Sequence, residues 1–119
     1  MKKTLVLGAS PNVCRVSNQA VHRLTLAGHE VIPVGIREGQ IAGIDIQKGQ
    51  PEVQGVDTIT MYLSAKNQAH YYDYIMGLAP KRIIFNPGAE NPELYQMAKG
   101  KGIEVENACT LVMLSVSVY

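Results

Sequence analysis

The chain has 119 residues, of which 46% are hydrophobic and 18% are charged, and its formal net charge is +1 at pH 7. This length and composition are typical of one soluble globular domain. No apolar run approaches the ~20 residues that span a bilayer, and the balanced charge argues against non-specific nucleic-acid binding. Two cysteines, Cys14 and Cys109, are too few for a disulfide framework. We therefore expect a single domain over residues 1–119, in the cytoplasm, with neither a membrane nor a nucleic acid as partner.

Short apolar segments alternate with helical patterns from the start of the chain. The predicted strands are residues 3–7, 31–34, 56–63, 81–85 and 103–106. Most of them are continuously apolar, as strands buried on both faces are. This alternation predicts an α/β fold in three layers, in which a five-stranded parallel sheet lies between helices.

Helix start and stop signals separate these strands. The predicted helices are residues 17–27, 64–78 and 91–101. Their candidate N-caps are Ser17, Ser64 and Asn91, and Gly28 is well placed to end the first helix.

Two segments have no decisive period. Residues 35–55 hold several glycines, and we expect Ile41, Ile44 and Ile46 to form at most a short extension. Residues 108–119 are apolar, and their pattern fits a helix as well as a strand.

The loop after the first predicted strand is the most informative about function, because open parallel sheets bind ligands at the carboxyl ends of their strands. Gly8 permits a tight turn, while Ser10, Asn12 and Ser17 offer small hydrogen-bonding side chains. The helix N-terminus that follows attracts anions, and Arg15 adds forked donors for a phosphate. An ordinary turn with a capped helix and a solvated Arg15 explains the same residues, so both interpretations stay open.

The end of the second strand bears on the type of nucleotide. The first loop lacks the dinucleotide fingerprint, because Asn12 and Val13 stand where later glycines are expected. No acid follows the second strand; Arg37 is found there instead. An arginine favours a phosphorylated ribose, as in coenzyme A or NADP. A surface arginine in a mobile loop is the alternative interpretation.

The loop after the fourth predicted strand, residues 86–91, combines turn formers with amides. A tight connection into a capped helix accounts for Pro87, Gly88 and Asn91. A ligand wall is the other interpretation, to which Asn86 and the exposed backbone would contribute.

An ordered set of short segments extends over nearly the whole chain: LGASPN with Arg15 and Ser17, GHEVIPV, IAG, VDT, NPGAEN, residues 98–105 and ACT. In this order they resemble the small stand-alone CoA-binding-domain proteins. Those proteins are similar to the CoA-binding domain of the succinyl-CoA synthetase alpha subunit, without its catalytic histidine domain. The resemblance implies a Rossmann-like three-layer domain with a five-stranded parallel sheet and coenzyme A as the cofactor.

The resemblance also implies which residues contact the ligand. Those implied to hold phosphates are Gly8, Ala9, Ser10, Pro11, Asn12, Arg15 and Ser17. Val34 and Arg37 are implied to lie near the adenosine. The residues implied on the opposite side are Tyr62, Leu63, Ser64, Asn86 and Pro87. The chain departs from the family pattern in two places. Residues 35–55 lack the usual short helix, and the loop after Phe85 has Asn86 and Pro87 where many relatives carry aromatic and glutamine residues.

No combination of residues forms a convincing catalytic set. The three histidines fall outside the predicted ligand loops, and Ser10 has no base partner in the sequence. Cys109 follows the fifth strand, where it is either simply buried or able to form a mixed disulfide with CoA. Cys14 lies in the phosphate loop, where it is predicted to be exposed and oxidisable.

We therefore expect a non-catalytic protein that binds CoA or acyl-CoA, with the phosphates at the loop after the first strand. The alternatives are an NADP or other adenine-nucleotide-using enzyme or subunit, and a scaffold with a vestigial pocket. A homodimer and a partner enzyme both remain open as partners.

Overall fold

The computed structural model describes residues 1–119 and contains one main sheet and one small hairpin. The strands are β1 Thr4–Leu7, β2 Val31–Val34, β3 Gln40–Ile41, β4 Ile44–Asp45, β5 Thr58–Met61, β6 Arg82–Phe85 and β7 Glu104–Asn107. The α-helices are α1 Val16–Leu26, α2 Ala65–Gln68, α3 Tyr72–Leu78, α4 Pro92–Gly100 and α5 Thr110–Ser115. The main sheet has the order β2-β1-β5-β6-β7 and is parallel throughout. This confirms the predicted α/β, Rossmann-like fold with its five-stranded parallel sheet.

Alternate residues of the central strands supply two separate cores, because successive side chains of a strand point to opposite faces. Leu5 and Phe85 face the larger core, where they pack with Ile75 of α3 and Leu94 of α4. Val6 faces the smaller core, which α1, the hairpin and α5 complete. The sheet is therefore covered on both faces, which is why its strands carry few exposed side chains.

The face beneath α5 is unusually polar for a buried parallel sheet. Thr60 and Thr110 share a hydroxyl hydrogen bond of 2.8 Å, and the Nε of Arg82 donates to the Thr58 hydroxyl over 3.1 Å. The Arg82 guanidinium carbon lies 4.5 Å from the ring centroid of Tyr119, close enough for a cation–π contact. Residues 108–119 thus form α5 and a tail that covers these polar groups.

The first helix differs from the prediction at its start. It begins at Val16, and Ser17 lies inside its first turn without making a capping bond, so the predicted Ser17 cap is wrong. Gly28 does end this helix: its φ is +91°, and the next N–H, that of His29, donates to the Leu24 carbonyl. The fourth helix begins as predicted, because the Asn91 side chain accepts from the Leu94 N–H over 3.2 Å.

The predicted single helix over residues 64–78 is wrong, because α2 and α3 are separated by a 3₁₀ turn at Ala69–Tyr71. Ser64 does not cap the helix; its hydroxyl accepts from the Asn67 side chain instead. The break follows Gln68, which is fully buried and donates to the carbonyls of Leu63 and Ala89, both over 2.8 Å. These tertiary hydrogen bonds fix the short α2 against two loops. The strand before it, β5, is Thr58–Met61 and is therefore shorter than predicted.

Residues 35–55 form no helix, and their regular secondary structure is the antiparallel hairpin of β3 and β4. Ile41 and Ile46 are buried in the smaller core, and the hairpin itself was not predicted. Its two-residue turn has positive φ at both Ala42 (53°) and Gly43 (77°), as hairpin turns of the I′ type require.

Candidate functional site

A cleft of about 680 Å³ opens at the carboxyl ends of β1, β2, β5 and β6. It lies over the neighbours β1 and β5, where the connections leave toward opposite sides of the sheet and open α/β folds bind their ligands. The predicted site residues that line it are Gly8, Ala9, Ser10, Arg15, Ser17, Val34, Arg37, Tyr62, Leu63, Ser64 and Pro87. The lining residues outside that prediction are Cys14, Val16, Gly35, Ile36, Asn67, Tyr71 and Gly88.

Two glycines allow the loops around the cleft to approach each other. Gly8 has a φ of +99°, and a side chain there would come within 3.1 Å of the Leu63 nitrogen. A Cβ on Gly35 would lie 2.1 Å from the Ala9 carbonyl oxygen. The N–H groups of Gly8 and Ala9 both donate to the Val34 carbonyl over 2.9 Å. The floor of the cleft is therefore backbone against backbone, a packing that only glycine permits.

The loop between β1 and α1 is held by its own polar side chains. The Asn18 side-chain amide donates to the Ser10 carbonyl over 2.9 Å, and the Ser10 hydroxyl accepts from the Asn12 N–H over 3.1 Å. The Asn12 side chain in turn accepts from the Cys14 N–H over 2.9 Å. This bonding orders the loop while leaving the N–H groups of Ser10, Val16 and Ser17 without an acceptor in the chain. Free N–H groups at a helix start are suited to binding an anion.

The charge in the cleft has one sign. Among its 18 lining residues the only ionised side chains are Arg15 and Arg37, both of them exposed, and there is no aspartate or glutamate. Two guanidinium groups, free N–H groups and the positive end of α1 act together here. This arrangement favours a negatively charged ligand, and phosphate matches its donors.

Tyr62 lines the cleft and packs against the smaller core. Burial raises the pKa of Tyr62 to about 12. The hydroxyl is enclosed and makes no hydrogen bond of normal geometry, although the Thr60 and Thr110 hydroxyls lie near it. Tyr62 is consequently neutral at physiological pH and does not act as a proton acceptor there.

Three residues predicted for the site do not line the cleft. Asn86 is 1% exposed: its amide donates to the Thr60 hydroxyl (2.7 Å) and the Met61 carbonyl (3.0 Å), and its oxygen accepts from the Thr110 N–H (2.8 Å). Its hydrogen-bonding capacity is used inside the fold. Pro11 packs against Gly39, and Asn12 is turned toward its own loop. The prediction of direct contacts from Asn86, Pro11 and Asn12 is therefore not supported by their placement.

A buried amide pair behind the cleft escaped sequence analysis. The Asn91 side chain donates to the Gln68 side-chain oxygen over 2.9 Å, and Gln68 donates to the Leu63 and Ala89 carbonyls. Through these bonds the start of α4 fixes the loops after β5 and β6, which form one wall. Nothing in the local sequence marks Gln68 as buried, since it lies in a polar stretch.

The rest of the molecule offers less for ligand chemistry. No group of three histidine, cysteine, aspartate or glutamate residues is placed to hold a metal ion. None of the helices has the length and apolarity that crossing a membrane requires. A second depression of about 150 Å³ lies beside Glu90 and Asn107, and it is too small for a nucleotide.

Comparison with known proteins agrees with this fold. A solved structure of an uncharacterized protein is 49% identical, covers 100% of this chain and 98% of its own, and has a TM-score of 0.97. A hypothetical protein from Pyrococcus horikoshii OT3 is 22% identical with a TM-score of 0.86, covering 97% of this chain and 82% of its own. A Thermus thermophilus protein, cell-free ID.343, is 20% identical with a TM-score of 0.85, covering 99% and 90%. The latter two likenesses concern the fold alone.

No functionally curated protein matches the chain. The family model described as "CoA binding domain" matches residues 2–115, which is nearly the whole sequence. A match of this extent supports CoA binding in general, and the acid-free cleft with its two arginines fits such a ligand. The chain belongs to the CoA binding domain family.

Proposed function

We propose that this protein binds coenzyme A or an acyl-CoA without transforming it, and that it holds the pyrophosphate at the loop between β1 and α1. One observation carries the proposal: the cleft combines unpaired N–H groups at the start of α1 with two arginines and no carboxylate. A ligand with several phosphate charges is the partner that such a site favours.

The residues on the two sides of the cleft suggest which part of the ligand each side would contact. Ser10, Arg15 and Ser17 would bind the pyrophosphate, and Arg37 would bind the 3′-phosphate of the ribose. Val34 is fully buried at the end of β2 and shapes the floor beneath the adenosine. The opposite wall, formed by Tyr62, Leu63, Ser64 and Pro87, would contact the adenine and the pantetheine arm.

The chemical groups that line the cleft support a binding role without catalysis. They are hydroxyls, amides, backbone N–H groups, the Cys14 thiol and two guanidiniums, and none of them is a histidine or a carboxylate. Tyr62, with a pKa of about 12, holds its proton at physiological pH. General acid–base catalysis needs a group whose pKa lies near the working pH. The residues present can bind and orient a ligand.

A second candidate ligand is NADP, because Arg37 suits a 2′-phosphate as well as a 3′-phosphate. Isothermal titration with CoA, acetyl-CoA, dephospho-CoA, NADP and ADP separates the candidates. We expect CoA and acetyl-CoA to bind more tightly than dephospho-CoA, by about tenfold or more if Arg37 makes a charged hydrogen bond. In the Arg37→Ala variant this preference should disappear.

Two outcomes contradict the proposal. Tighter binding of NADP than of CoA would make the protein a candidate subunit of a nucleotide-using enzyme. If no ligand gives binding heat and none shifts the Tm of the protein, the chain would be a scaffold whose pocket has lost its role.

A further inference from the structure

Cys14 is a free thiol on the wall of the cleft, and the proposed binding role gives it no function. It is exposed, and it lies between Asn12 and Arg15 in the loop proposed to bind phosphate. Its N–H donates to the Asn12 side chain over 2.9 Å, which fixes its backbone. The other cysteine, Cys109, is half-buried and does not line the cleft. The two thiols of the chain therefore have different environments.

A second observation supports ligand binding in this part of the cleft. Ser17 is only 5% exposed, lines the cleft, and has a hydroxyl without any hydrogen-bonding partner in the chain. The hydroxyl reaches the surface of the cleft, where a bound ligand can act as its hydrogen-bonding partner. Ser17 lies three residues after Cys14, in the first turn of α1. The thiol and this hydroxyl therefore line the same cleft.

Resting on the proposed function, we infer that Cys14 is a modification site at which a mixed disulfide with a small thiol and the phosphorylated ligand exclude each other. The reaction is thiol–disulfide exchange with a low-molecular-weight disulfide. Cys14 loses its proton to solvent, and its sulfur attacks one sulfur of the reagent. A Cys14–S–S bond forms while the reagent's own S–S bond breaks. The departing thiolate keeps the electron pair and takes a proton from water.

Exclusion follows from the position of the adduct. A group attached to the Cys14 sulfur adds several atoms on the wall where Arg15 and Ser17 meet the ligand. Bound ligand, in turn, covers the sulfur from the side by which a disulfide approaches. Because binding and modification compete for one space, each reduces the other by mass action. An oxidising shift in the small-thiol pool would then release the ligand, and reduction would restore binding.

The test compares the rates at which the two thiols of the intact protein are modified by bis(2-hydroxyethyl) disulfide. This reagent is neutral, so the charge of the ligand does not itself repel it. Acetyl-CoA is the competing ligand, because it has no free thiol that could reverse the reaction. After quenching with iodoacetamide, trypsin separates the thiols, since residues 4–15 contain Cys14 and residues 102–119 contain Cys109. Cys109 is thus an internal reference in every sample.

With acetyl-CoA at about 20 times its Kd, we expect Cys14 to be modified about 20-fold more slowly, since only the unliganded fraction reacts. The rate at Cys109 should change less than twofold. Protein modified at Cys14 should bind acetyl-CoA at least tenfold more weakly, and dithiothreitol should restore the affinity. If calorimetry shows acetyl-CoA bound while Cys14 reacts at an unchanged rate, the inference is wrong and the proposed function stands. If acetyl-CoA does not bind at all, both are wrong.

Discussion

The contact between Gly35 and Ala9 predicts that one added methyl group will damage both the stability and the cleft of this protein. In Gly35→Ala the new Cβ would lie 2.1 Å from the Ala9 carbonyl oxygen, whereas ordinary contacts begin at 3.4 Å. The obstacle is backbone, which cannot rotate away as a side chain can. One of the two segments must therefore move by more than 1 Å (3.4 minus 2.1).

The cost of that movement can be worked out from the bonds on either side. The N–H groups of Gly8 and Ala9 donate to the Val34 carbonyl, and the Gly35 N–H donates to the Gln47 carbonyl over 3.0 Å. Overpacking of a tight site costs about 1–3 kcal/mol, and the weakening of one of these hydrogen bonds adds about 1 kcal/mol. We expect a loss of about 2–4 kcal/mol in the free energy of unfolding, a large part of the ~5–15 kcal/mol typical of a domain.

Gly77→Ala is the matched control, because it makes the same chemical change where a Cβ meets nothing within 4 Å. Gly77 is an exposed residue of α3, so alanine should raise the free energy of unfolding by about 0.5–1 kcal/mol. Urea titration followed by circular dichroism measures both variants, and Gly35→Ala should lower the midpoint by roughly 1–3 M. Equal stability of Gly35→Ala and the wild type would refute the argument from the close backbone contact.

Three further predictions concern the cleft and its support. Arg15→Ala should weaken CoA binding by about 1.5–3 kcal/mol, measured by calorimetry. Arg23→Ala, in α1 but outside the cleft, is the control and should bind CoA normally. Equal losses of affinity in the two variants would remove Arg15 from the site. Asn86→Ala should lower the free energy of unfolding by about 2–4 kcal/mol, because it leaves buried partners unsatisfied, and the exposed Asn107→Ala should not. Burial raises the pKa of Tyr62 from 10.0 to about 12, so its stabilising effect is complete below pH 10 and is lost as pH rises toward 12. Tyr62→Phe should accordingly show a smaller fall in stability over that range in urea titrations, and an unchanged fall would contradict the assignment.

The sequence predicts the sheet and the edge that carries the cleft well because both depend on local signals. Gly8 directly follows a buried strand, and Asn91 precedes a proline at a helix start. The neighbours of each residue therefore predict its role, a tight turn at Gly8 and a helix cap at Asn91. Alternation of strands and helices then places the loops after β1, β2 and β5 at one edge. The cleft residues in those loops could be named before the structure was known.

The rest of the site depends on residues distant in the chain. A glycine is needed at position 35 because the Ala9 carbonyl leaves no room for a side chain. The Asn86 side chain is hydrogen-bonded to Thr60 and Thr110. No local sequence pattern reveals these partners. An asparagine in a polar loop has the same sequence signature whether it faces a ligand or the core.

The hairpin of β3 and β4 shows a different limit, which is a weak turn signal. Hairpin turns with positive φ usually carry Asn-Gly or Asp-Gly, whereas here Ala42 and Gly43 occupy the two positions. Each of its strands has only two residues, too few for an alternating pattern to stand out. Tertiary contacts of Ile41 and Ile46 with the smaller core therefore stabilise what the local sequence barely encodes.

Both edge strands of the main sheet resist extension by another molecule. Pro33 in the middle of β2 has no N–H to donate, its carbonyl already accepts from the Gln47 N–H over 2.9 Å, and Val34 is bridged to Gln47. At the other edge β7 carries Glu104 and Glu106 on a strand of four residues, and short charged edges disfavour strand addition. Fibre-like stacking through the sheet is thereby discouraged, and self-association of this small domain would have to proceed through its helical faces.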